Sequence, residues 1–301
     1  MKLMLSRKEF DVLTLLESEG ELPQRRISEK LNMSLGTVNK TIRDLSEKAF
    51  VFEGGITAYG IEALTPYRVK RAVFIAAGFG SRLVPITFNT PKPLIRVNGT
   101  RIIDTLLDAV REAEIPEVII VRGYLGEQFE QLLHKYHNIK FYDNKDYNVS
   151  NNIYSTLLVK EHLQNAYVFE ADLILHNSSL IRKYEYESNF LGVPVKRTDD
   201  WCFTVNKKKI IQEIKLGGEE CYQAIGISYW NEEDGKKLSS DIEDIYKTPG
   251  GKERFWEQVP LNYRSENYNV RLRECGKNDV IEIDTYQDLQ NEDLLYKNCM
   301  G

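Results

Sequence analysis

One stretch of the sequence, residues 73–94, constrains the fold of this chain more than any other. It opens with an apolar run that ends at Ala77, and because this run has no polar alternation it predicts a buried parallel strand. Gly78 and Gly80 follow at once, and glycines in such a turn let backbone N–H groups approach an anion without interference from a Cβ. At the carboxyl end of a strand, where open α/β sheets bind their ligands, this loop suits a polyphosphate.

Two cations accompany the glycines: Arg82 comes soon after them, and Lys92 stands between Pro91 and Pro93. The spacing differs from the common phosphate fingerprints. Leu83 occupies the position where a dinucleotide fold needs a third glycine, and no Gly-Lys-Ser/Thr follows for a P-loop. On the glycines alone, a plain strand-to-helix turn with surface cations explains the stretch equally well.

Downstream of this loop, apolar runs alternate with amphipathic segments. Strands are predicted at 117–122, 139–142 and 166–172, with helices around 102–110, from 123 and from Asn151. Repeated βα units with short connections indicate an α/β fold with a doubly wound, mainly parallel, Rossmann-like sheet. The second half is less regular, with strands near 191–195, 224–229 and 270–272 and a final helix from Thr285 to Lys297.

Residues 1–68 predict a small separate domain ahead of a catalytic domain at 69–301, with Pro66 in the linker. Ser6 and Ser34 are suited to cap helices, and two short helices around Ser34 are joined by a tight turn. Residues 50–59 then predict a hairpin with glycines at its tip. The set resembles the winged helix-turn-helix modules of bacterial regulators.

The charge of this module bears on what it binds. Residues 1–68 contain ten Lys and Arg and ten Asp and Glu, whereas DNA readers usually carry a clear positive excess. DNA binding through Thr37, Asn39, Lys40 and Arg43 therefore stays open but is not favoured, and a structural or dimerising role is an equal alternative.

The composition excludes several classes of protein. No apolar run approaches the roughly 18 residues of a membrane helix, and the early charges at the N-terminus differ from a secretory signal. Cysteines 202, 221, 275 and 299 form no C-x-x-C pair, so we expect reduced thiols in a cytoplasmic protein. A net charge of −5 argues against a general nucleic-acid or membrane surface.

Two carboxylates stand where a nucleotide's metal would need them. Asp172 ends one apolar strand, and Asp284 ends the segment 280–284 just before the last helix. Each alone is as well explained as a cap. Beside a triphosphate loop the pair predicts a Mg²⁺ site, since Mg²⁺ prefers one or two carboxylates together with phosphate oxygens and water. Glu170 and Glu282 flank the pair and are suited to support it.

Aromatic residues cluster in the second half of the sequence. Core packing explains them on composition alone, and the alternative is a cage for a quaternary ammonium group, in which ring faces and a nearby carboxylate attract the cation. The candidates for that cage are Trp201, Tyr229, Trp230, Trp256 and Glu257.

Taken together, these motifs resemble a known family. Ala76-Ala-Gly-Phe-Gly-Ser-Arg-Leu83 and Thr90-Pro-Lys-Pro-Leu94 are similar to the signature of nucleotidyltransferases. With Val121-Arg-Gly-Tyr-Leu125, Asn151-Asn-Ile-Tyr-Ser155, Glu170-Ala-Asp172, Trp201, Gly226-Ile-Ser-Tyr-Trp230, Phe255-Trp-Glu257 and Glu282-Ile-Asp284, residues 70–295 resemble bacterial choline-phosphate cytidylyltransferases. Glu170 and Glu257 are departures, because the family pattern has Asp at both positions.

The resemblance implies a reaction in which CTP and phosphocholine give CDP-choline and pyrophosphate, with Mg²⁺ on Asp172 and Asp284. It assigns catalysis to Arg82, Lys92 and Asp172. For the nucleotide it implies Ala77, Gly78, Gly80, Ser81, Arg82, Gly123, Asn152 and Ser155. Phosphoethanolamine or an aminophosphonate as the acceptor, and the oligomeric state, stay open.

Two other functions remain as alternatives. A sugar-1-phosphate nucleotidyltransferase would share the loop, but would need several polar groups to read hydroxyls in place of the tryptophans. A winged-helix DNA-binding regulator with a nucleotide-sensing second domain would not need the complete set of Arg82, Lys92, Asp172 and Asp284.

Overall fold

The computed structural model of the chain describes residues 4–297, so Cys299 lies outside the described residues. They form two compact units. The first extends to Arg68 and also includes Tyr184–Tyr186, and the second contains residues 69–183 and those from 187 onward. Among the described residues, no helix combines the length and the apolar character needed to cross a bilayer.

The first unit has a helical core and a short hairpin. Ser6 caps the first helix through a capping box with Glu9, and Ser34 caps the third by accepting from the backbone N–H of Thr37. Both caps follow the sequence prediction. The elements are α1 (Arg7–Glu19), α2 (Gln24–Leu31), α3 (Leu35–Glu47), β1 (Val51–Phe52), β2 (Gly55–Ile56) and α4 (Ala58–Leu64).

Aromatic packing completes this unit. The rings of Tyr67 and Tyr186 stack with their centroids 5.5 Å apart, and Phe10 packs on both. The Tyr186 hydroxyl donates to the carbonyl of Leu5 at 3.0 Å. Tyr184 and Tyr186, from far along the chain, therefore belong to the core of the first unit, which the sequence did not predict.

The second unit is built on a seven-stranded sheet with the order β12-β10-β11-β8-β3-β6-β7, in which only β11 runs antiparallel to its neighbours. This is the mainly parallel α/β architecture that the βα repeats predict. Its strands and helices are β3 (Arg71–Ala76), β4 (Arg96–Val97), β5 (Thr100–Arg101), α5 (Ile102–Glu112), β6 (Glu117–Arg122), β7 (Ile139–Asp143), α6 (Asn152–Leu158), β8 (Ala166–Glu170), β9 (Leu173–Leu175), β10 (Asn189–Val205), β11 (Ile211–Trp230), α7 (Glu232–Tyr246), β12 (Arg271–Glu274), β13 (Val280–Glu282) and α8 (Tyr286–Glu292).

Both faces of the sheet are covered. Alternate residues of β3 face opposite ways, so Phe74 packs with α5 in one core, and Val73 and Ile75 pack with α6 and α7 in the other. The chain leaves β3 in one direction to β6, and β8 lies on its other side. The crevice between the carboxyl ends of β3 and β8 is therefore a topological switch point, where α/β folds bind ligands.

Four elements differ from the sequence prediction. Residues Gly126–His134 form 3₁₀ turns and not an α-helix, and the last α-helix ends at Glu292 before a further 3₁₀ turn. Strands β10 and β11 are 17 and 20 residues long and pair as one long, bulged hairpin. Only the segments 191–195 and 224–229 were predicted, because a mostly polar and exposed stretch, at 196–200 in β10 and at 215–220 in β11, interrupts the apolar pattern of each strand.

Candidate active site

The glycine loop forms one wall of a cavity of about 450 Å³ at the end of β3. Gly80 has φ +69°, and a Cβ on it would lie 3.2 Å from both the Cβ of Lys92 and the Cγ2 of Thr87. Only glycine therefore allows this tight approach without displacement. The cavity is lined by the loop residues Gly78, Gly80, Ser81, Arg82, Lys92 and Pro93 and, on the other side, by Ile75, Ala76, Asn151, Glu170, Ala171, Asp172 and Asp284.

The predicted catalytic residues form a network at the edge of this cavity. The Lys92 Nζ donates to Oδ2 of Asp172 at 2.7 Å and to Oδ1 of Asp284 at 2.8 Å. The guanidinium of Arg82, which is two-thirds exposed, lies 2.9 Å from Asp284. Burial alone lowers the pKa of Lys92, but the two carboxylates outweigh it, so this pKa is raised and the ammonium stays charged.

A small antiparallel pair of strands brings the two aspartates together. Strand β9 pairs with β13, and the backbone N–H of Ile283 donates to the carbonyl of Asp172 at 3.0 Å. Carboxylate oxygens of Asp172, Glu282 and Asp284 lie within 4.8 Å of one another. Burial and the charges of Asp172 and Asp284 raise the pKa of Glu282 to about 8.

These residues fit a divalent cation. Oδ1 of Asp172 is buried and has no hydrogen-bond partner among the described residues, so it has a lone pair for a further ligand. A set of carboxylate oxygens beside a phosphate-binding loop suits Mg²⁺, which prefers one or two carboxylates together with phosphate oxygens and water. Glu282, which the sequence suggested only as a supporting group, belongs to this set.

A second cavity, of about 390 Å³, adjoins the first. Its walls include three aromatic rings (Phe190, Trp201 and Phe255), and Trp201 meets Phe255 edge to face with ring centroids 5.4 Å apart. It also has six carboxyl groups, those of Glu170, Asp172, Asp200, Glu257, Glu282 and Asp284. Arg82, Glu170, Asp172 and Asp284 line both cavities, so the two spaces meet at the catalytic network.

Glu170 and Glu257, the two departures from the family pattern, lie side by side in this second cavity. The Nδ2 of Asn152 is 3.2 Å from Oε1 of Glu170 and 3.2 Å from Oε2 of Glu257. Burial, followed by repulsion from Glu257 and Asp172, raises the pKa of Glu170 well above its ordinary value, and burial also raises that of Glu257. The pair thus forms a half-buried acidic patch on the wall of this cavity.

The structure corrects part of the predicted cage. Trp201 and Glu257 line the second cavity, but Tyr229 and Trp230 have no exposed surface, and neither lines it. The Tyr229 hydroxyl faces Asn165, and the Trp230 indole donates to Ser228 at 3.0 Å. Trp256 is 2% exposed and packs in the core against Phe190 and Trp230. Tyr229, Trp230 and Trp256 are therefore packing residues.

The residues predicted to bind the base do not lie together at one cavity. A Cβ on Gly123 would lie 2.8 Å from the carbonyl oxygen of Ala77, so these two backbones are in close contact. Ser155 is buried, accepts from the Nδ2 of Asn144 at 2.9 Å and lines neither cavity, which corrects its assignment. Asn152 lines the second cavity and not the first, because the Glu170–Glu257 pair and the backbone N–H of Trp256 occupy its amide.

Several residues of these cavities were not assigned from the sequence, among them Asn151, Asp200 and Phe255. Asn151 was noted only as a helix cap, and it does cap α6, but it also lines the phosphate cavity. Asp200 lines the second cavity and directly precedes Trp201, whose position in the motif was the available signal.

Comparisons with known proteins identify both parts of the chain. The profile of the family described as Nucleotidyl transferase matches residues 71–192, and that of Winged helix-turn-helix DNA-binding matches residues 5–48. A 2-aminoethylphosphonate cytidylyltransferase of Lancefieldella rimae is 33% identical over 221 residues, which are 72% of this chain and 89% of the relative. A choline-phosphate cytidylyltransferase of Streptococcus pneumoniae is 31% identical over 228 residues, 76% of this chain and 99% of the relative.

Solved structures give the same result. The CTP:phosphocholine cytidylyltransferase of Streptococcus pneumoniae matches with a TM-score of 0.70 at 32% identity, over 76% of this chain and 99% of that one. Fold, loop and acidic cluster together define an enzyme of the nucleotidyltransferase class. Within that class, the chain belongs to the family of bacterial cytidylyltransferases that includes these relatives.

Proposed function

We propose that this enzyme transfers CMP from CTP to phosphocholine, giving CDP-choline and pyrophosphate. The observation that carries the proposal is the meeting of the two cavities at Arg82, Asp172 and Asp284. A triphosphate on the glycine loop and a phosphorylated cation among the aromatic rings would bring their phosphates together at this wall. The names of the two relatives and of the matching solved structure support cytidylyl transfer.

The nucleotide lies against the glycine loop in this proposal. Backbone N–H groups from Gly78 to Ser81 and the guanidinium of Arg82 hold the β- and γ-phosphates. The cytosine edge would lie near the backbones of Ala77 and Gly123, which are in close contact behind the loop and line neither cavity themselves. Asn152, whose amide is engaged by the two glutamates, is reassigned from the base to the acceptor cavity.

The chemistry is an in-line displacement. An oxygen of the acceptor phosphate attacks the α-phosphorus, the bond to the bridging oxygen of the β-phosphate breaks, and pyrophosphate leaves with the electron pair. The acceptor oxygen is already anionic at neutral pH, so positioning and charge neutralisation supply the catalysis. Lys92 neutralises the charge that grows on the α-phosphoryl group. When bound to Asp172 and Asp284, Mg²⁺ would polarise phosphate oxygens.

The acceptor's trimethylammonium group would occupy the aromatic end of the second cavity. Trp201 and Phe255 present rings there, and Glu257 provides negative charge. Ring faces attract a cation that cannot donate hydrogen bonds, and a desolvated contact of this kind contributes about 2 kcal/mol. The revised cage is therefore Trp201, Phe255 and Glu257.

A primary amine, such as that of 2-aminoethylphosphonate, is the second candidate for the acceptor. The paired carboxyl groups of Glu170 and Glu257 favour it, because a primary ammonium needs oxygen acceptors for its three N–H donors. The relative from Lancefieldella rimae bears that name.

Initial rates with saturating CTP distinguish the two acceptors. We expect kcat/KM for phosphocholine to exceed that for phosphoethanolamine and for 2-aminoethylphosphonate by about tenfold or more, which corresponds to about 1.4 kcal/mol. A higher kcat/KM for 2-aminoethylphosphonate would replace phosphocholine by the second candidate.

We do not propose DNA as the ligand of the first unit, although its profile match has that description. Helix α3 does present Asn39, Lys40 and Arg43 to solvent. The balanced charge of residues 1–68, however, gives little of the phosphate attraction on which DNA binding depends.

A further inference from the structure

The loop that carries the catalytic cations has little regular structure of its own. Between β3 and β4 the chain forms only 3₁₀ turns, at Ser81–Leu83, Ile86–Phe88 and Lys92–Leu94. Arg82 and Lys92 both lie on this segment. Because a shift of about 1 Å in a catalytic group can lower a rate on the order of 100-fold, contacts that fix the loop matter for the reaction.

One stabilising hydrogen bond lies within the loop itself. The hydroxyl of Thr87, a fully buried residue, donates to the carbonyl of Gly80 at 3.0 Å. Gly80 also lies close to the side chain of Lys92, because a Cβ added to Gly80 would be 3.2 Å from the Cβ of Lys92. This contact closes the loop on itself but does not attach it to the rest of the sheet.

Tyr124 supplies the attachment. Its backbone N–H donates to the carbonyl of Ala77 at 3.1 Å, at the start of the loop. Its ring meets that of Phe79 edge to face, with centroids 4.6 Å apart. Its hydroxyl donates to the carbonyl of Phe88 at 3.0 Å, in the middle of the loop. One side chain thus holds the beginning and the middle of the segment together.

Gln128, four residues after Tyr124, makes a second hydrogen bond to the middle of the loop. The Nε2 of Gln128 donates to the carbonyl of Asn89 at 2.9 Å. Tyr124 and Gln128 belong to the segment that follows β6, so two consecutive carbonyls of the loop are bound by side chains of an adjacent, well-packed part of the unit. Neither residue lines either cavity.

We propose that Tyr124, supported by Gln128, is a positioning residue that fixes the Lys92 segment of the glycine loop for phosphoryl transfer. It acts through the loop, because it lies outside both cavities. The kinetic part of this inference rests on the proposed function, whereas the structural part does not. The Tyr124 and Gln128 side-chain bonds are exposed to solvent, so their loss should change loop order far more than global stability.

The experiment compares Tyr124→Phe and Gln128→Ala with Tyr142→Phe, a control that removes a hydroxyl bonded to His162 elsewhere in the unit. Hydrogen exchange of the amides at residues 86–90 and 92, measured without substrates, should be about tenfold faster in the two loop variants and unchanged in the control. With CTP and phosphocholine, kcat should fall about tenfold, while KM for phosphocholine and the melting temperature stay near the wild-type values.

A double-mutant cycle then tests whether Tyr124 acts through Lys92. In a Lys92→Ala background, adding Tyr124→Phe should lower kcat by less than twofold further, because the group being positioned is already absent. Fully additive effects, or an unchanged exchange rate in the loop, would overturn the proposal. Should Tyr124→Phe fail to fold, Gln128→Ala decides by the same readouts. A wild-type chain inactive with these substrates would defeat the proposed function, and the exchange data would still decide the role of Tyr124.

Discussion

The Nζ of Lys92 lies 2.7 Å from Oδ2 of Asp172, and this ion pair joins residues 80 positions apart in the sequence. The same ammonium lies 2.8 Å from Asp284, the second predicted metal ligand. The proline-flanked lysine and both strand-end aspartates therefore form one cluster. In the proposed function, each of its charged groups would act on the phosphates of the nucleotide.

Removal of the lysine tests its role in the transition state. Lys92→Ala should lower kcat by about 10²–10³-fold and raise KM for CTP much less, because the contact strengthens as charge develops on the α-phosphoryl group. Steady-state kinetics measures both values. Lys140→Ala, which breaks an exposed ion pair with Glu117, is the matched control. If only KM for CTP changes, Lys92 is a ground-state binder.

Asp172→Asn tests the metal site. The amide keeps the size of the side chain and removes the charge that a divalent cation needs, so pyrophosphate release should nearly disappear while the circular dichroism spectrum stays unchanged. The control is Asp199→Asn, at a fully exposed carboxylate. Wild-type turnover of the Asp172 variant in saturating Mg²⁺ would rule out this residue as a metal ligand.

Two tryptophans that look alike in the sequence should respond differently to substitution. Trp201→Ala should weaken phosphocholine by about tenfold or more and leave CTP binding nearly unchanged, because one cation–ring contact is lost. Trp230→Ala should instead lower the free energy of unfolding by about 3–5 kcal/mol, since it empties a fully buried site. Calorimetric titration and urea unfolding measure the two effects. Equal weakening of both ligands by Trp201→Ala would place Trp201 among the packing residues.

Burial explains why the sequence could not distinguish the tryptophan that lines the cavity from the one that packs in the core. Near its end, β11 is covered on both faces, so that Tyr229 packs in one core and Trp230 in the other. No polar alternation then marks a face that is open to ligand. Trp201 lies on the outer part of the β10–β11 hairpin, whose length depends on pairing between strands and is not encoded in a local pattern.

Local signals, by contrast, predicted the positions of the charged residues well. The strand Glu117–Arg122 and the caps at Ser34 and Asn151 were predicted from short motifs. The rule that parallel strands end at one edge of a sheet places Asp172, which follows β8, near the loop that follows β3. Asp284 joins them through the antiparallel pairing of β13 with β9, which lies outside that sheet. Which oxygen contacts which cation depends on the pairing of β9 with β13, a contact between segments about a hundred residues apart.

The first unit can be tested by truncation. Because the phosphate loop begins after residue 76, a chain without residues 1–66 should keep its turnover. Its Tyr184 and Tyr186 would lose the core in which they are packed, so we expect aggregation that Tyr184→Ser with Tyr186→Ser relieves. Light scattering and kcat are measured on both forms. A folded, monodisperse and inactive truncation would show that the first unit is needed for catalysis.

The most direct test of the account is product analysis by ³¹P NMR for a grid of substrates. CTP, UTP, dTTP, ATP and GTP are each combined with phosphocholine and with glucose 1-phosphate in the presence of Mg²⁺. CTP with phosphocholine should give equal amounts of CDP-choline and pyrophosphate, at a rate well above every other pair. Faster turnover of glucose 1-phosphate with any of the nucleotides would contradict it, because the acceptor cavity would then read hydroxyl groups and not a cation.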